Sequence, residues 1–496
     1  MRAFREDVPF AIVFAVLAAF ALAPLFFVTF VPGPDLPGNV AGATLLARVA
    51  IGDSAALLFY RVSWVPTPYW TVYALVGGAA LAVGPLLATK LVTGALVLFL
   101  PLSVLRLLVA LRRSPRLAAC AFLLCWDHNL LAGWHTFAFG MCCALVLIAK
   151  MLEAGDARAA LMATPWALLV ALSHPQAMAL VGVVALATPF VSSNWRERLG
   201  RNAIAMMGMG VVTVGWLIAR TSGPAKPFHL DYPAASDKTA LFFLHSIDVL
   251  PSPSGQLAAA LGAMLLVFGT LALTALPRAE VEPFPRRAGL VVVGALLALY
   301  AAAPMAIEGP IPHWYTYPRY ATYLLVALPF VPTPRLDGWR GLVLAPVALV
   351  AIASSVAMIS AFRDYEGRTQ PFVKIIDAIP AGSRVLPLEY VDADPAFKLV
   401  PLQHMHSWIT AVKRTYDPHI FEAPTPVRYR EGIETPRPSW RGATGVSLAH
   451  FARHYDYLLV QGTARDPIGR EETPPGLRFT RVVDAGMWRL YAIERL

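Results

Sequence analysis

Residues 8–31 read VPFAIVFAVLAAFALAPLFFVTFV, an apolar run that contains no charged residue. A helix needs about 20 apolar residues to cross a hydrocarbon core, and this run is long enough. It is also longer than the apolar part of a secretory signal peptide, about 7 to 15 residues, and no A-x-A-like cleavage site follows it. The sequence therefore predicts a retained first membrane span.

Similar apolar blocks recur along the chain after this run, up to residue 362. The 496 residues are 57% hydrophobic and only 15% charged, whereas about a quarter of the residues in soluble domains are charged. We therefore predict a polytopic α-helical membrane protein with about eleven spans, for which the lipid bilayer is the solvent. The predicted spans are residues 8–31, 85–111, 117–131, 134–152, 159–173, 177–191, 203–218, 257–276, 288–306, 320–331 and 342–362.

The positive charges indicate the topology rather than a nucleic-acid partner. The net charge is +10, but most Lys and Arg residues before residue 340 lie in alternate short loops between apolar blocks. The positive-inside rule places those loops, and the N-terminus, in the cytoplasm. An apolar stretch at residues 69–83 fits this topology as a helix that dips along the outer face. The odd number of spans then places everything after residue 362 outside the membrane.

The composition changes at residue 363, where charges and prolines become frequent. We predict two domains: a membrane domain at residues 1–362, with a first outer loop at 32–68, and an extracytoplasmic α/β domain at 363–496. Its expected elements are a strand at 383–388, a helix at 448–454, a strand at 455–460, and a hairpin of 479–483 with 488–493.

Asp35 is the leading catalytic candidate. It follows the first span immediately and lies between Pro34 and Pro37, which restrict the backbone around it. A carboxylate at the membrane surface can act as general base towards the hydroxyl of an acceptor molecule. The alternative is that Asp35 only caps a helix or a turn.

The other candidates also fall in outer loops and are interpreted as substrate-binding residues. Asp127 and His128 interrupt an apolar region, where ionisable groups are costly and suggest function, but two ligands are too few for a zinc site. His174 either binds a phosphate or caps a helix. Arg319 either clamps a phosphate through its guanidinium group or anchors its helix at the interface.

Nucleotide-binding and hydrolase motifs are absent from the sequence: there is no Walker loop, no G-x-G-x-x-G after a strand, no H-E-x-x-H and no G-x-S-x-G. This absence argues against an ATP-driven pump. It fits an enzyme whose donor is already activated and embedded in lipid.

Several short blocks, taken in order, resemble the GT-C superfamily of integral membrane glycosyltransferases, which use polyprenyl-phosphate sugars. The first block is Asp35-Leu36-Pro37-Gly38-Asn39, in which Asn39 stands where the related pattern has His. The later blocks are residues 129–134, 172–174, 318–320 and 379–388. The resemblance is closest to a bacterial branch, and the Ala-, Arg- and Pro-rich composition also suggests a bacterial inner membrane.

The resemblance implies that Asp35 is the catalytic carboxylate and that a polyprenyl-phosphate-linked sugar is the donor for an extracytoplasmic lipid, glycan or protein. It also implies an acidic or metal-linked partner for Asp35, and a divalent metal is the only cofactor that it suggests. The sequence identifies neither the metal nor the oligomeric state. His404 and His406 in the C-terminal domain are either partners of Asp35 or surface residues.

Two other functions stay open at this point: a transporter or flippase of a lipid-linked saccharide, and a non-catalytic scaffold. A transporter should place charged groups near the middle of the membrane. Lys90 and Arg106 in the second predicted span are the main exceptions to apolar interiors, and both can reach towards an interface.

Overall fold

The computed structural model describes residues 7–220, 228–309, 313–421, 425–433, 435–438, 446–468 and 473–496. Most of the described chain is helical. The α-helices are Val8–Leu22, Leu36–Ala50, Ser54–Leu57, Trp70–Val83, Pro85–Ala110, His128–Leu131, His135–Glu153, Ala157–Leu161, Thr164–Ala171, Pro175–Ala187, Trp195–Arg220, Ala235–Ala240, Pro253–Met264, Thr270–Thr274, Pro283–Ala302, Pro318–Ala327, Ala345–Thr369, Phe372–Ala378, Ser407–Lys413 and Leu448–Phe451.

Seven helical segments in the described chain are long and apolar enough to cross a membrane. These segments are Val8–Phe27, Pro85–Ala110, His135–Glu153, Trp195–Ile218, Pro253–Thr274, Pro283–Ala302 and Gly338–Thr369. The other four predicted spans correspond to shorter helices, because breaks at proline and polar residues interrupt them. The polytopic helical architecture is thus confirmed, whereas the number of eleven spans stays a prediction.

The first outer loop folds around two helices that approach each other closely. The outer helix, Leu36–Ala50, packs against Trp70–Val83. Gly77 lies directly against the carbonyl of Ala43, and Gly42 lies against the ring of Tyr73, so that a side chain at either glycine would collide. Small residues at a crossing let helix backbones approach in this way. The predicted dipping helix is therefore packed onto the predicted outer helix.

The C-terminal region contains a four-stranded mixed sheet, whose strands correspond to the four that the sequence predicts. The strands of the chain are β1 (Tyr60–Val62), β2 (His229–Asp231), β3 (Ala306–Glu308), β4 (His313–Trp314), β5 (Val385–Glu389), β6 (Val427–Tyr429), β7 (Tyr457–Gln461), β8 (Leu477–Ala485) and β9 (Trp488–Arg495). The order in the sheet is β5-β7-β9-β8. Strand β5 runs parallel to β7, and β8 and β9 form the predicted terminal hairpin.

The first outer loop and the C-terminal region are joined directly. Strand β1 of the loop pairs antiparallel with β6, and the register places Tyr60 opposite Tyr429. The helix Ala345–Thr369 continues through the predicted boundary at residue 362, and its Glu366 accepts hydrogen bonds of 2.6 Å from both the backbone N–H and the hydroxyl of Thr29. The C-terminal region therefore lies over the segment that carries Asp35.

Candidate active site

Asp35 occupies the position before the outer helix but does not cap it. Its side chain makes no capping hydrogen bond. Instead, Oδ2 accepts a hydrogen bond of 2.9 Å from the indole Nε1 of Trp134. The residue is half-buried, and the structure therefore does not support the alternative in which Asp35 is only a helix cap.

Two glycines make the contact between Asp35 and Trp134 possible. Gly133 has a φ of +83°, and a side chain there would collide with the backbone nitrogen of Leu36. Gly33 lies against the carbonyl of Leu131, where an added Cβ would be 3.1 Å from the oxygen. Asn39 adds a hydrogen bond of 3.2 Å from Nδ2 to the carbonyl of Gly133. The two sequence blocks, 35–39 and 129–134, are therefore locked together.

Trp134 is the central side chain of the site. The guanidinium carbon of Arg319 lies 4.2 Å from the centre of the indole ring, a separation typical of a cation–π contact. The ring of His128 meets the same indole edge-on, with a centroid distance of 5.4 Å. Three predicted candidates from different loops, Asp35, His128 and Arg319, thus meet around Trp134.

His174 stands at the N-cap of the helix Pro175–Ala187, one of its two predicted alternatives, and also holds Arg319. The imidazole is fully buried, and its Nε2 accepts a hydrogen bond of 2.9 Å from Nη1 of Arg319. Nη2 of Arg319 donates to the carbonyl of Trp314 at 3.3 Å. The Nε of Arg319 is buried and has no hydrogen-bond partner among the described residues. The arginine is therefore held flat on the indole with donor capacity left over.

Asp127 has a structural role, in contrast to its predicted role in substrate binding. Its Oδ1 accepts from the backbone N–H of Leu130 at 3.0 Å and thereby caps a short helix. Its Oδ2 accepts from Nδ2 of Asn129 at 2.9 Å, and the same amide group lies 3.2 Å from the carbonyl of Arg319. Asp127 thus fixes Asn129, which in turn holds the start of the helix that carries Arg319.

The ring of His128 lies against that of His245, which the sequence did not indicate as a site residue. The two ring centroids are 5.4 Å apart, and both rings are buried. The Nδ1 atoms of both histidines are buried without a hydrogen-bond partner in the described part of the chain. His245 belongs to a long outer loop, but nothing in its local sequence indicates that it would reach His128.

A second polar cluster lies in the C-terminal region. Glu389, His404 and His406 each offer one metal-ligating atom, and these atoms lie within 4.8 Å of one another. His406 bridges two carboxylates: its Nδ1 lies 2.7 Å from Oε1 of Glu389 and its Nε2 lies 3.1 Å from Oδ1 of Asp417. Both histidines are buried, so the interpretation that they are surface residues is wrong.

The charges in this cluster stabilise one another. Burial alone lowers the pKa of the His406 imidazole, but the carboxylates of Asp417 and Glu389 raise it to about 10. Burial acts to raise the pKa of Asp417, and the charge of His406 nevertheless lowers it below its usual value. The two carboxylates therefore favour the protonated form of the His406 imidazole.

This cluster adjoins Asp35. Phe421 packs against Gly38, where an added Cβ would lie 2.8 Å from its ring, and the same ring meets His404 edge-on at 5.5 Å. Burial lowers the pKa of His404, and the charges of Glu389 and Asp35 act in the opposite direction. The Asp35 carboxylate therefore lies near enough to the C-terminal cluster for its charge to act on His404.

The multi-span helical fold with its C-terminal sheet matches the fold of GT-C membrane glycosyltransferases of known structure. In particular, the chain matches ArnT from Cupriavidus metallidurans, solved with bound undecaprenyl phosphate: the TM-score is 0.54 and the identity is 14%, over 99% of this chain and 98% of ArnT. This likeness establishes the fold.

Two further solved structures match less well. Arabinofuranosyltransferase AftD from Mycobacteria is 16% identical with a TM-score of 0.49, over 97% of this chain and 41% of AftD. The oligosaccharyltransferase AglB from Archaeoglobus fulgidus, in complex with an inhibitory peptide and a dolichol-phosphate, is 11% identical with a TM-score of 0.44, over 92% of this chain and 70% of AglB. Neither models of protein families nor curated proteins match the chain.

Proposed function

We propose that this protein is a membrane glycosyltransferase that moves a sugar from a polyprenyl-phosphate donor to an acceptor on the outer face of a bacterial inner membrane. The observation that carries the proposal is that Trp134 holds a carboxylate and a guanidinium group at one site. The carboxylate can remove a proton, and the guanidinium group can bind a phosphate. The full-length likeness to ArnT, solved with undecaprenyl phosphate, supports the class of donor.

Arg319 is assigned to the phosphate of the donor. Its guanidinium carries five N–H groups, two of which are used by His174 and the carbonyl of Trp314. The remaining N–H groups, including the unpartnered Nε–H, can donate hydrogen bonds to two oxygens of a phosphate. Because the arginine is buried, its charge acts through little water and stabilises the departing polyprenyl phosphate strongly.

Asp35 is assigned to the acceptor. The carboxylate removes the proton of the acceptor hydroxyl, the hydroxyl oxygen forms a bond to the anomeric carbon, and the bond from that carbon to the phosphate oxygen breaks. The electron pair leaves with the phosphate group, whose new charge Arg319 stabilises. Attack opposite to the leaving group inverts the anomeric configuration.

The placement of the site on the outer face rests on the distribution of charge. The loops that carry Arg112, Arg113 and Arg116, and later Arg196, Arg198 and Arg201, alternate with the loops that form the site. A transporter path gains little support from Arg106, because its guanidinium group is paired with the carboxylate of Glu153.

Labelled-sugar transfer by purified protein in lipid nanodiscs tests this proposal. The donors are undecaprenyl phosphate linked to several pentoses and hexoses, and an extract of bacterial envelope lipids and glycans supplies acceptors. We expect Asp35→Asn to lower transfer at least about 100-fold, the usual contribution of a general base, while binding of undecaprenyl phosphate is retained.

Asp53→Asn is the matched control, because Asp53 lies in the same loop and caps the helix Ser54–Leu57 through its side chain, a role that asparagine also fulfils. Wild-type transfer rates in Asp35→Asn would overturn the assignment of the base. Absence of transfer with every donor, together with movement of the lipid across the bilayer, would replace the enzyme with a flippase.

A further inference from the structure

The C-terminal cluster of Glu389, His404 and His406 contains the ligands of a metal site. We propose that these three side chains bind one divalent transition-metal ion, with Zn²⁺ as the best match, at the face of the C-terminal region that adjoins Asp35. The binding of the ion does not depend on the proposed glycosyl transfer. Only the role assigned to the ion beside Asp35 rests on that proposed function.

The chemistry of the ligand set selects the class of metal. Two imidazole nitrogens and one carboxylate oxygen are the three protein ligands of many catalytic zinc sites, which leave a fourth position for water or substrate. Mg²⁺ and Ca²⁺ prefer oxygen ligands alone and are therefore poor candidates. The three ligand atoms already lie within 4.8 Å of one another.

The surroundings of His406 are those of a metal-bound histidine. A ligating imidazole usually donates its second N–H to a carboxylate, which fixes the ring. Nε2 of His406 lies 3.1 Å from Oδ1 of Asp417, so Nδ1 is directed towards Glu389. Asp417 is fixed in turn, because its Oδ2 accepts from the hydroxyl of Ser407 at 2.6 Å.

The other two ligands are also held in place. Glu389 ends strand β5, and its Oε2 accepts from the backbone N–H of His404 at 3.1 Å, which leaves Oε1 towards His406. His404 has a φ of +61°, a left-handed conformation that is uncommon for residues with a side chain. Such strain is retained where the surrounding structure requires it, often at functional sites. Here it directs the imidazole into the cluster.

An ion requires these atoms to rearrange: a pair as far apart as 4.8 Å must approach by about 1.5 Å, and the closest pair must separate. Ligand atoms of a tetrahedral zinc site with bonds of 2.0–2.1 Å lie about 3.3 Å apart. Nδ1 of His406 and Oε1 of Glu389 are 2.7 Å apart in a direct hydrogen bond, which must therefore lengthen by about 0.6 Å. The ion takes the place of this direct contact between Nδ1 and Oε1.

The place of the ion gives it a role in acceptor binding. The ring of Phe421 lies against both Gly38 and His404. Gly38 follows Asp35 by three residues, so this ring connects the helix after Asp35 to the cluster. A bound cation in the cluster attracts the oxygen of an acceptor hydroxyl and lowers the pKa of that hydroxyl. Proton removal by the nearby Asp35 carboxylate then becomes easier.

Metal analysis of the full-length protein, purified in detergent without an affinity tag, tests the site. The protein is stripped with a chelator, incubated with Zn²⁺, desalted and analysed by mass spectrometry of the elements. We expect about one zinc per chain, with less than a tenth of that amount in Glu389→Gln and in His404→Asn. Asparagine is chosen at residue 404 because it tolerates a positive φ.

We expect Asp417→Asn to weaken zinc binding about 10- to 100-fold without abolishing it.

His450→Ala is the matched control, because His450 lies in the same region but is exposed. Substitution of Co²⁺ adds a second readout, since a tetrahedral site with nitrogen ligands gives a visible absorption that surface binding does not. Gel filtration and circular dichroism of each variant separate loss of the ion from loss of the fold.

Equal zinc content in wild type, Glu389→Gln and His404→Asn would overturn the proposal, and so would a wild-type protein that retains no zinc. Neither result requires a sugar donor. A failure here therefore leaves the proposed glycosyl transfer standing, and a failure of transfer leaves the metal site standing.

Discussion

At the scale of single residues, Trp134 performs two tasks with two parts of one ring. Its Nε1–H holds the carboxylate of Asp35, and its π face carries the guanidinium group of Arg319. The two opposite charges are thereby kept near each other without forming an ion pair of their own. A direct ion pair would remove both groups from their proposed substrates.

Trp134→Phe separates these two tasks, because phenylalanine retains an aromatic face but lacks the N–H group. Loss of a hydrogen bond to a charged group costs about 1.5–3 kcal/mol, so we expect transfer to fall about 10- to 100-fold. Binding of undecaprenyl phosphate should change little. The values of kcat/KM and of the lipid dissociation constant check this pair of outcomes, and an equal loss in both would contradict it.

Arg319→Lys keeps the positive charge but removes the planar fork of donors. We expect undecaprenyl phosphate to bind about tenfold more weakly or worse, which corresponds to about 1.4 kcal/mol. Native mass spectrometry in lipid-like detergent measures this affinity. Arg335→Lys is the control, because Arg335 is exposed in a loop outside the site. Unchanged affinity in Arg319→Lys would remove the arginine from the phosphate site.

At the scale of elements, the close approach of the 129–134 block to the outer helix depends on Gly133. Gly52 offers an unusually good comparison, because its φ of +82° is nearly the same as the +83° of Gly133, but nothing lies within 4 Å of its added Cβ. The two positions differ in their surroundings and hardly at all in backbone conformation.

Gly52→Ala should therefore cost only the left-handed strain, about 1–2 kcal/mol. Gly133→Ala adds a collision with the backbone of Leu36 and should cost about 1–3 kcal/mol more. It should also displace Asp35 and reduce transfer. Thermal unfolding in detergent compares the two variants, and equal melting temperatures would show that the contact is not tight.

Most helices and strands were predictable from the sequence, because apolar blocks and the alternation of charged loops are local signals. The helix after Asp35, the individual strands of the C-terminal sheet and the terminal hairpin follow from such patterns, whereas the parallel pairing of β5 with β7 does not. The cluster at Glu389 was not predictable, because its members belong to a strand end and an irregular turn with no shared spacing. His245 and the pairing of β1 with β6 depend on residues distant in sequence, for which a single sequence carries no periodic signal.

At the scale of the whole molecule, Tyr60 connects the first outer loop to the C-terminal cluster. Its buried hydroxyl donates to the carbonyl of Thr415 at 2.9 Å and accepts from the backbone N–H of Asp417 at 2.8 Å. The ring stacks on that of Tyr429 across the two strands, with a centroid distance of 5.9 Å. A residue of the loop thus helps to fix the carboxylate that orients His406.

Tyr60→Phe removes both hydrogen bonds and leaves the ring. We expect the free energy of unfolding to fall by about 1–3 kcal/mol, because a buried N–H and a buried carbonyl lose their partner. Zinc binding should also weaken, since Asp417 becomes less well fixed. Tyr232→Phe is the control at an exposed tyrosine. A stability loss without any change in zinc affinity would show that the loop does not influence the metal site.

The pairing of β1 with β6 also has a consequence for how the protein is made. The ribosome finishes residue 62 long before residue 427, so β1 has no partner strand until β6 has been made. A chain that stops early has every apolar segment needed for insertion but leaves Asp35 uncovered by the C-terminal region. We therefore expect a chain that stops before β6 to leave the site open and to lack the proposed transfer.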